Sequence, residues 1–263
     1  MLLLISPAKT LDYDTPVPPA VLAQATEPLF SDQAALLIAA LRKKSPRQIG
    51  ELMGLSDKLV ALNAARYAAW VPQATADNSK PAVLAFDGDV YDGLQAPTLS
   101  AADLRWTQDH VVILSGLYGA LRPLDRLQPY RREMGTALKT RRGKDLYAFW
   151  GDRVATHLNE RQAGQAEPVI VNLASIEYAR VARRSALRAR VVDCAFEEGD
   201  ADGSFKIISF FAKKARGMMV RHAIERRATR PEQLEDFCAE GYALAREVST
   251  ADKLVFRRPA RSA

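Results

Sequence analysis

The sequence predicts a mixed α/β (α+β) fold: a mixed sheet forms the core, and an inserted helical subdomain carries a helix-hairpin-helix. Three observations lead there. Short runs of Val, Ile, Leu and Phe alternate with longer windows of helical periodicity. The alternation shows no regular βαβ repeat, and residues 191–209 read as an antiparallel pair joined by the turn-rich stretch 197–204. Between a segment with four prolines, 15–28, and a polar connector, 72–81, residues 31–71 read as helix. The chain, 1–263, therefore reads as one mixed α/β domain, with 31–71 inserted and the hairpin at 46–70.

Taken in order, the strands fall at 2–6, 83–86, 111–114, 169–173, 191–196, 205–209 and 254–257, short apolar runs that suit buried strands. The helices fall at 32–44, 46–53, 57–70, 101–109, 145–162, 176–184, 210–227 and 231–245. Ser31, Ser56 and Ser100 stand where N-caps belong, and Ser45-Pro46 places proline at a first helical position.

Of the 263 residues, 48% are hydrophobic and 26% charged, an ordinary globular mix that excludes a disordered tail or a membrane protein. The run Leu2 to Ile5 is too short to span a bilayer and lacks the basic start of a signal peptide. The expected location is therefore cytoplasmic, with no membrane partner. Cys194 and Cys238 have no CxxC neighbour and read as small hydrophobes rather than a disulfide or zinc site.

The net charge is +6, from 37 Lys+Arg and 31 Asp+Glu. Three blocks hold much of it. Residues 122–144 carry eight cations and two acids, 180–190 five arginines and no acid, and 206–230 eight cations and one acid. Such blocks suit a polyanionic partner, or simply solvated helix faces.

The most informative pattern is 46–70, in which Met53-Gly54-Leu55 separates two helices. In a helix-hairpin-helix the glycine makes the turn, and the amides opening the second helix face a DNA phosphate. Ser56 and Lys58 would sit at that opening, with Lys43, Lys44 and Arg47 nearby. A plain αα-hairpin with a glycine cap fits the same pattern. Lys58, four residues after Gly54 and nineteen before Asp77, also resembles the nucleophile spacing of endonuclease III-type glycosylases. The resemblance is confined to this stretch, and a helix-surface lysine is the simpler meaning.

Other candidates lie at strand ends, where α/β folds place sites. Asp87, Asp89 and Asp92 lie in six residues and read as a metal- or water-activating cluster, or as a charged turn. Ser115 opens a loop whose Gly116 and Gly119 would let a ligand approach the backbone, and Arg122 follows. Tyr130, Arg131 and Arg132 set an aromatic beside two guanidinium groups, suited to stacking and phosphate contacts, or form a solvated basic loop. Asn172 and Glu177 flank Ser175, a natural N-cap. Lys206, Lys213, Lys214 and Arg216 line a strand-to-helix segment. His110, His157 and His222 show no metal spacing, and neither HExxH nor GxSxG occurs.

Five ordered blocks then resemble one family. They are Ser6 to Asp12, Phe86 to Gly93, Leu114 to Asp125 with Pro129-Tyr130-Arg131, Asn172 to Tyr178, and Ser209 to Gly217. Together they resemble the YaaA family of peroxide stress response proteins, over about residues 1–258. The resemblance implies a cytoplasmic bacterial protein that helps cells survive hydrogen peroxide. It also implies DNA binding through a positively charged cleft and a helix-hairpin-helix, on an unusual mixed α/β fold.

The leading expectation is a DNA-binding protein of the hydrogen peroxide stress response, with phosphate-dominated contacts, little sequence readout and affinity that falls with salt. The alternative is a nucleic-acid-processing enzyme, a glycosylase or lyase or a metal-assisted activity, drawing on Lys58, Lys9, Asp87, Asp89, Ser115 and Glu177. Iron handling by the aspartates is a third reading, weakened by the missing His/Cys set. No cofactor, resident metal or obligate protein partner is called for. What decides between binding and catalysis is whether the strand-end groups converge in one deep cleft.

Overall fold

The computed structural model describes residues 1–260. Its main sheet runs in the order Ala243–Leu244, Lys253–Arg258, Arg190–Gly199, Val169–Asn172, Leu2–Ile5, Val111–Ser115, Gly119–Leu121. The five inner strands are mutually parallel. The edges are antiparallel: Ala243–Leu244 on Lys253–Arg258, Gly119–Leu121 on Val111–Ser115, and Phe205–Lys206 on Arg190–Gly199. The sheet is thus mixed, as expected, and residues 190–206 form the expected antiparallel pair. Every residue of Leu2–Ile5 is buried, because this strand is central and covered on both faces.

Serine caps mark several helices. Ser45 and Ser100 form capping boxes with Gln48 and Asp103, and Ser175 caps Ile176–Ala182. Ser31 does not cap; it is the first residue of Ser31–Arg42, and its hydroxyl donates to the Pro28 carbonyl at 2.8 Å. The helices Ser31–Arg42, Pro46–Met53 and Asp57–Ala69 follow one another without an intervening strand.

Four expected elements differ. Residues 82–85 form one helical turn, and only Phe86–Asp87 is extended, pairing antiparallel with Thr10–Leu11. Its opening amides, Ala82 and Val83, donate to the Asp125 and Pro123 carbonyls rather than to a ladder. Residues 145–162 split into Leu146–Trp150 and Arg153–Arg161 at Gly151, whose φ of 52° leaves the right-handed helix. The ladder at 205–209 ends after Lys206, and Ser209 begins the long helix Ser209–Arg226. Residues 231–245 are not one helix: the turns Pro231–Leu234 and Ala239–Gly241 lead into a strand, with Glu240 at φ 50°.

At the hairpin, Gly54 adopts φ 60°, ψ 45° and donates its N–H to the Gly50 carbonyl, closing Pro46–Met53. The two helices approach closely: a methyl group on Gly50 would lie 3.1 Å from a Val60 methyl. This geometry is common to a plain αα-hairpin and a helix-hairpin-helix.

Candidate functional site

Leu2–Ile5 and Val169–Asn172 run side by side in parallel, with Leu4 opposite Asn172. Leu2–Ile5 has Val111–Ser115 on its other side, so the chain order reverses at its carboxyl end, where open α/β sheets form their binding crevice. A cleft of about 480 Å³ opens there. Its floor joins the two strand-end loops: the Ser175 amide donates to the Ser6 hydroxyl at 2.9 Å, and the buried Tyr91 hydroxyl donates to the Ser6 carbonyl at 3.2 Å.

Charged groups of both signs line it. Lys9 Nζ lies 2.6 Å from Glu133 Oε1, and Lys213 Nζ lies 3.6 Å from Asp89 Oδ2. Arg216 enters from one turn beyond Lys213; burial lowers its pKa, and its Nε has no hydrogen-bond partner. Asp87 and Glu177 complete the lining, and Glu177 accepts the Gly135 amide at 2.7 Å. Tyr178 closes the wall, its phenol raised well above the ordinary value by burial. Three cations therefore face four carboxylates, and the cleft is polar without being predominantly positive.

Two backbone features set this geometry. Gly88, at φ 150°, makes the turn between Asp87 and Asp89 in a conformation open essentially to glycine alone. The short helix Asp89–Leu94 then crosses Ser209–Arg226 at near-contact, and this brings Asp89 opposite Lys213.

Of the strand-end candidates, Lys9, Asp87, Asp89 and Glu177 converge in the cleft. Ser115 and Asn172 do not. Ser115 is fully buried, its hydroxyl 2.6 Å from the Tyr130 hydroxyl and accepting the Tyr118 amide. Asn172 donates to Asp193 at 2.8 Å. Tyr130 is only 3% exposed, packed edge-on to Phe86 and Tyr118, so it offers no face for stacking. Arg132 is likewise 3% exposed; its guanidinium nitrogens have no partner, and burial pushes its pKa down to about 10. Arg131 points toward Glu133, 4.0 Å away. Gly116 and Gly119 receive protein rather than a ligand: methyl groups there would strike the Arg132 carbonyl and the Trp150 ring.

Several of the remaining cations are paired, whereas the exposed Lys139, Arg141 and Lys144 have no ion pair among the described residues. Lys206 pairs with Asp200, Lys214 with Glu240, and Arg122 with the buried Asp125. Three of the five arginines of 180–190 pair in the same way, Arg183 with Asp193, Arg184 with Asp152 and Arg190 with Asp252, while Arg180 lies over the Tyr147 ring. At the hairpin, Lys43 and Lys58 are exposed, and Lys43, Lys44 and Lys58 have no ion pair among the described residues. Arg47 pairs only with Glu51 across one exposed turn. Sequence reasoning missed Ser6, Glu133 and Tyr178 as cleft residues; only Ser6 and Tyr178 lay inside the motif blocks.

Among the described residues no group of three or more His, Cys, Asp or Glu side chains is placed to hold a metal, and no helix is long and apolar enough to cross a membrane.

The profile of the family described as "Peroxide stress protein YaaA" matches residues 1–248. The chain belongs to the YaaA family of peroxide stress proteins. Its relatives include UPF0246 proteins of Leptothrix cholodnii, 62% identical over 258 residues that cover 98% of both chains, and of Bordetella pertussis, 60% identical over 98% of this chain and 99% of the other. A UPF0246 protein of Polaromonas naphthalenivorans is 60% identical over 98% of both chains. Membership of this family supports a role in the hydrogen peroxide stress response.

Proposed function

We propose that the protein binds DNA during the peroxide stress response, gripping phosphates with its helical hairpin. The observation that carries this reading is the unneutralised charge at the hairpin. Lys206, Lys214 and Arg183 are engaged by carboxylates of the same chain, but Lys43, Lys44 and Lys58 have none among the described residues, a property they share with the exposed Lys139, Arg141 and Lys144. Next to Lys58, the left-handed Gly54 delivers the exposed start of Asp57–Ala69, and the Ser56 hydroxyl makes no cap bond; Lys43 and Lys44 follow Arg42, which bonds the carbonyls at the other end of that helix. The first amides of that helix are left open to an anion. The grip is on phosphates, so affinity falls with salt and varies little with sequence.

A second reading rests on a different observation. Lys9, Asp87, Asp89 and Glu177 converge at the switch point of a parallel sheet, in a cleft of ligand size. This favours a nucleic-acid-processing activity served by the same hairpin. One experiment tests both readings: incubate the purified protein with intact, oxidised-base and abasic duplexes, with and without divalent metal. A salt-sensitive mobility shift is expected on every duplex. Absence of any shift overturns the binding reading, and cleavage confined to one lesion establishes the enzymatic one.

A further inference from the structure

We propose that the strand-end cleft receives a single nucleotide extruded from duplex DNA, with Ile176 as the wedge that takes its place in the stack. This rests on the DNA-binding reading above and extends it to the cleft.

Ile176 is 91% exposed, the most exposed of the large apolar side chains among the described residues. It stands between Ser175 and Glu177, which both line the cleft. An isolated exposed aliphatic on a loop needs no explanation, but this one is mounted rigidly. The Ser175 amide is held by Ser6, the Ser175 hydroxyl accepts the Tyr178 amide, the Tyr147 hydroxyl donates to the Glu177 carbonyl, and Glu177 holds the Gly135 amide. Local structure does not explain the residue either, since a β-branched side chain at a first helical position adds nothing to helix stability. An apolar side chain fixed on a rigid base beside a polar cavity is the device by which proteins part base steps.

The cavity suits what such a wedge displaces. At about 480 Å³ it is within the range that takes a small ligand whole. The Asp87 carboxylate makes no hydrogen bond or ion pair among the described residues and offers acceptor oxygens to the ring N–H and exocyclic amine of a base. Lys213, only loosely paired with Asp89, is placed for the nucleotide's phosphate. Phe210 precedes Lys213 by one turn on the same helix face and is 56% exposed, its ring edge-on to Phe211.

The hairpin and the cleft lie within reach of one duplex. From Asp57 to Tyr67 the second hairpin helix spans about 15 Å. The Tyr67 hydroxyl donates to the Arg131 carbonyl at 2.6 Å, and Glu133, two residues on, lines the cleft. The whole path is shorter than one turn of DNA, about 34 Å.

The test places 2-aminopurine, whose fluorescence is quenched by stacking, as a single unpaired base in a duplex and as a paired base in a control. Mobility shift is measured on the same samples. The parent protein raises the emission of the unpaired probe several-fold, and Ile176→Ala loses that rise; circular dichroism checks the variant's fold, which is expected to be unchanged because the residue is 91% exposed. Asp87→Asn changes which base at the unpaired position is preferred. Flat emission with a normal shift overturns the extrusion proposal and leaves DNA binding standing; an undiminished rise in folded Ile176→Ala does the same. Loss of the rise on adding free nucleoside monophosphate supports a nucleotide-sized cleft. Tight binding of that monophosphate with flat emission shows that the cleft takes a free nucleotide instead. No shift with any duplex overturns both proposals together.

Discussion

Gly217 meets Val90 so closely that a methyl group on the glycine would lie 1.8 Å from the Val90 carbonyl oxygen. Gly93 makes the reciprocal contact, its missing methyl 2.1 Å from the Lys214 carbonyl oxygen. These two glycines interlock Asp89–Leu94 with Ser209–Arg226, and the interlock holds Asp89 beside Lys213 in the cleft.

Gly217→Ala therefore drives a side chain into main chain that has no rotamer to yield. A loss of about 3 kcal/mol or more is expected, at the upper end of overpacking costs. Gly54→Ala meets open space and bears only the left-handed backbone, about 1 kcal/mol. Urea unfolding of both variants checks the ranking, and equal losses would show that the crossing is not tight.

Stability should fall as pH drops below about 6.5, and His157 supplies part of the reason. Burial first, then Arg161 and Arg122, lower its pKa to about 4, while the unfolded chain titrates near 6.5. Between those values the unfolded state binds the extra proton. The stability is full above pH 6.5 and is lost toward pH 4. Partial solvent screening of the ring limits the effect to on the order of 1 kcal/mol. His110, lowered mainly by burial, acts in the same sense. His157→Gln should flatten the loss of urea midpoint between pH 7 and pH 5; an unchanged slope would assign it to other groups.

Asp57 sits in the first turn of the helix whose amides are assigned to phosphate. Its carboxylate competes for the same positive helix end. Asp57→Asn should raise duplex affinity several-fold at low salt, as read by fluorescence anisotropy. A weaker complex would place the phosphate elsewhere.

What the sequence made legible was local. Ser45, Ser100 and Ser175 mark helix starts because a cap is a contact over three residues. Gly54 is legible because its turn needs nothing distant. The parallel core was not, since Leu2–Ile5 finds Val111–Ser115 only after a long irregular excursion. Nor could the sequence show that Tyr130 and Arg132 lie inside, or that Gly119 is shaped by Trp150 rather than by a ligand. The cation blocks misled for the same reason. Lys206, Lys213 and Lys214 look free in sequence, and their carboxylates come from Asp200, Asp89 and Glu240. Of the cleft, Lys9, Asp87, Asp89 and Glu177 were legible as polar groups at strand ends; Glu133 was not, because it reaches the site from a long loop.

The central claim is that the hairpin holds DNA phosphates through Lys43, Lys44 and Lys58. The most direct measurement is the slope of log affinity against log salt for an intact duplex, comparing the parent with Lys43→Ala/Lys44→Ala/Lys58→Ala. The variant's slope should be smaller by about 3, one for each phosphate contact removed, with its thermal unfolding unchanged. An unaltered slope in a folded variant would contradict the account and move the DNA-binding surface away from the hairpin.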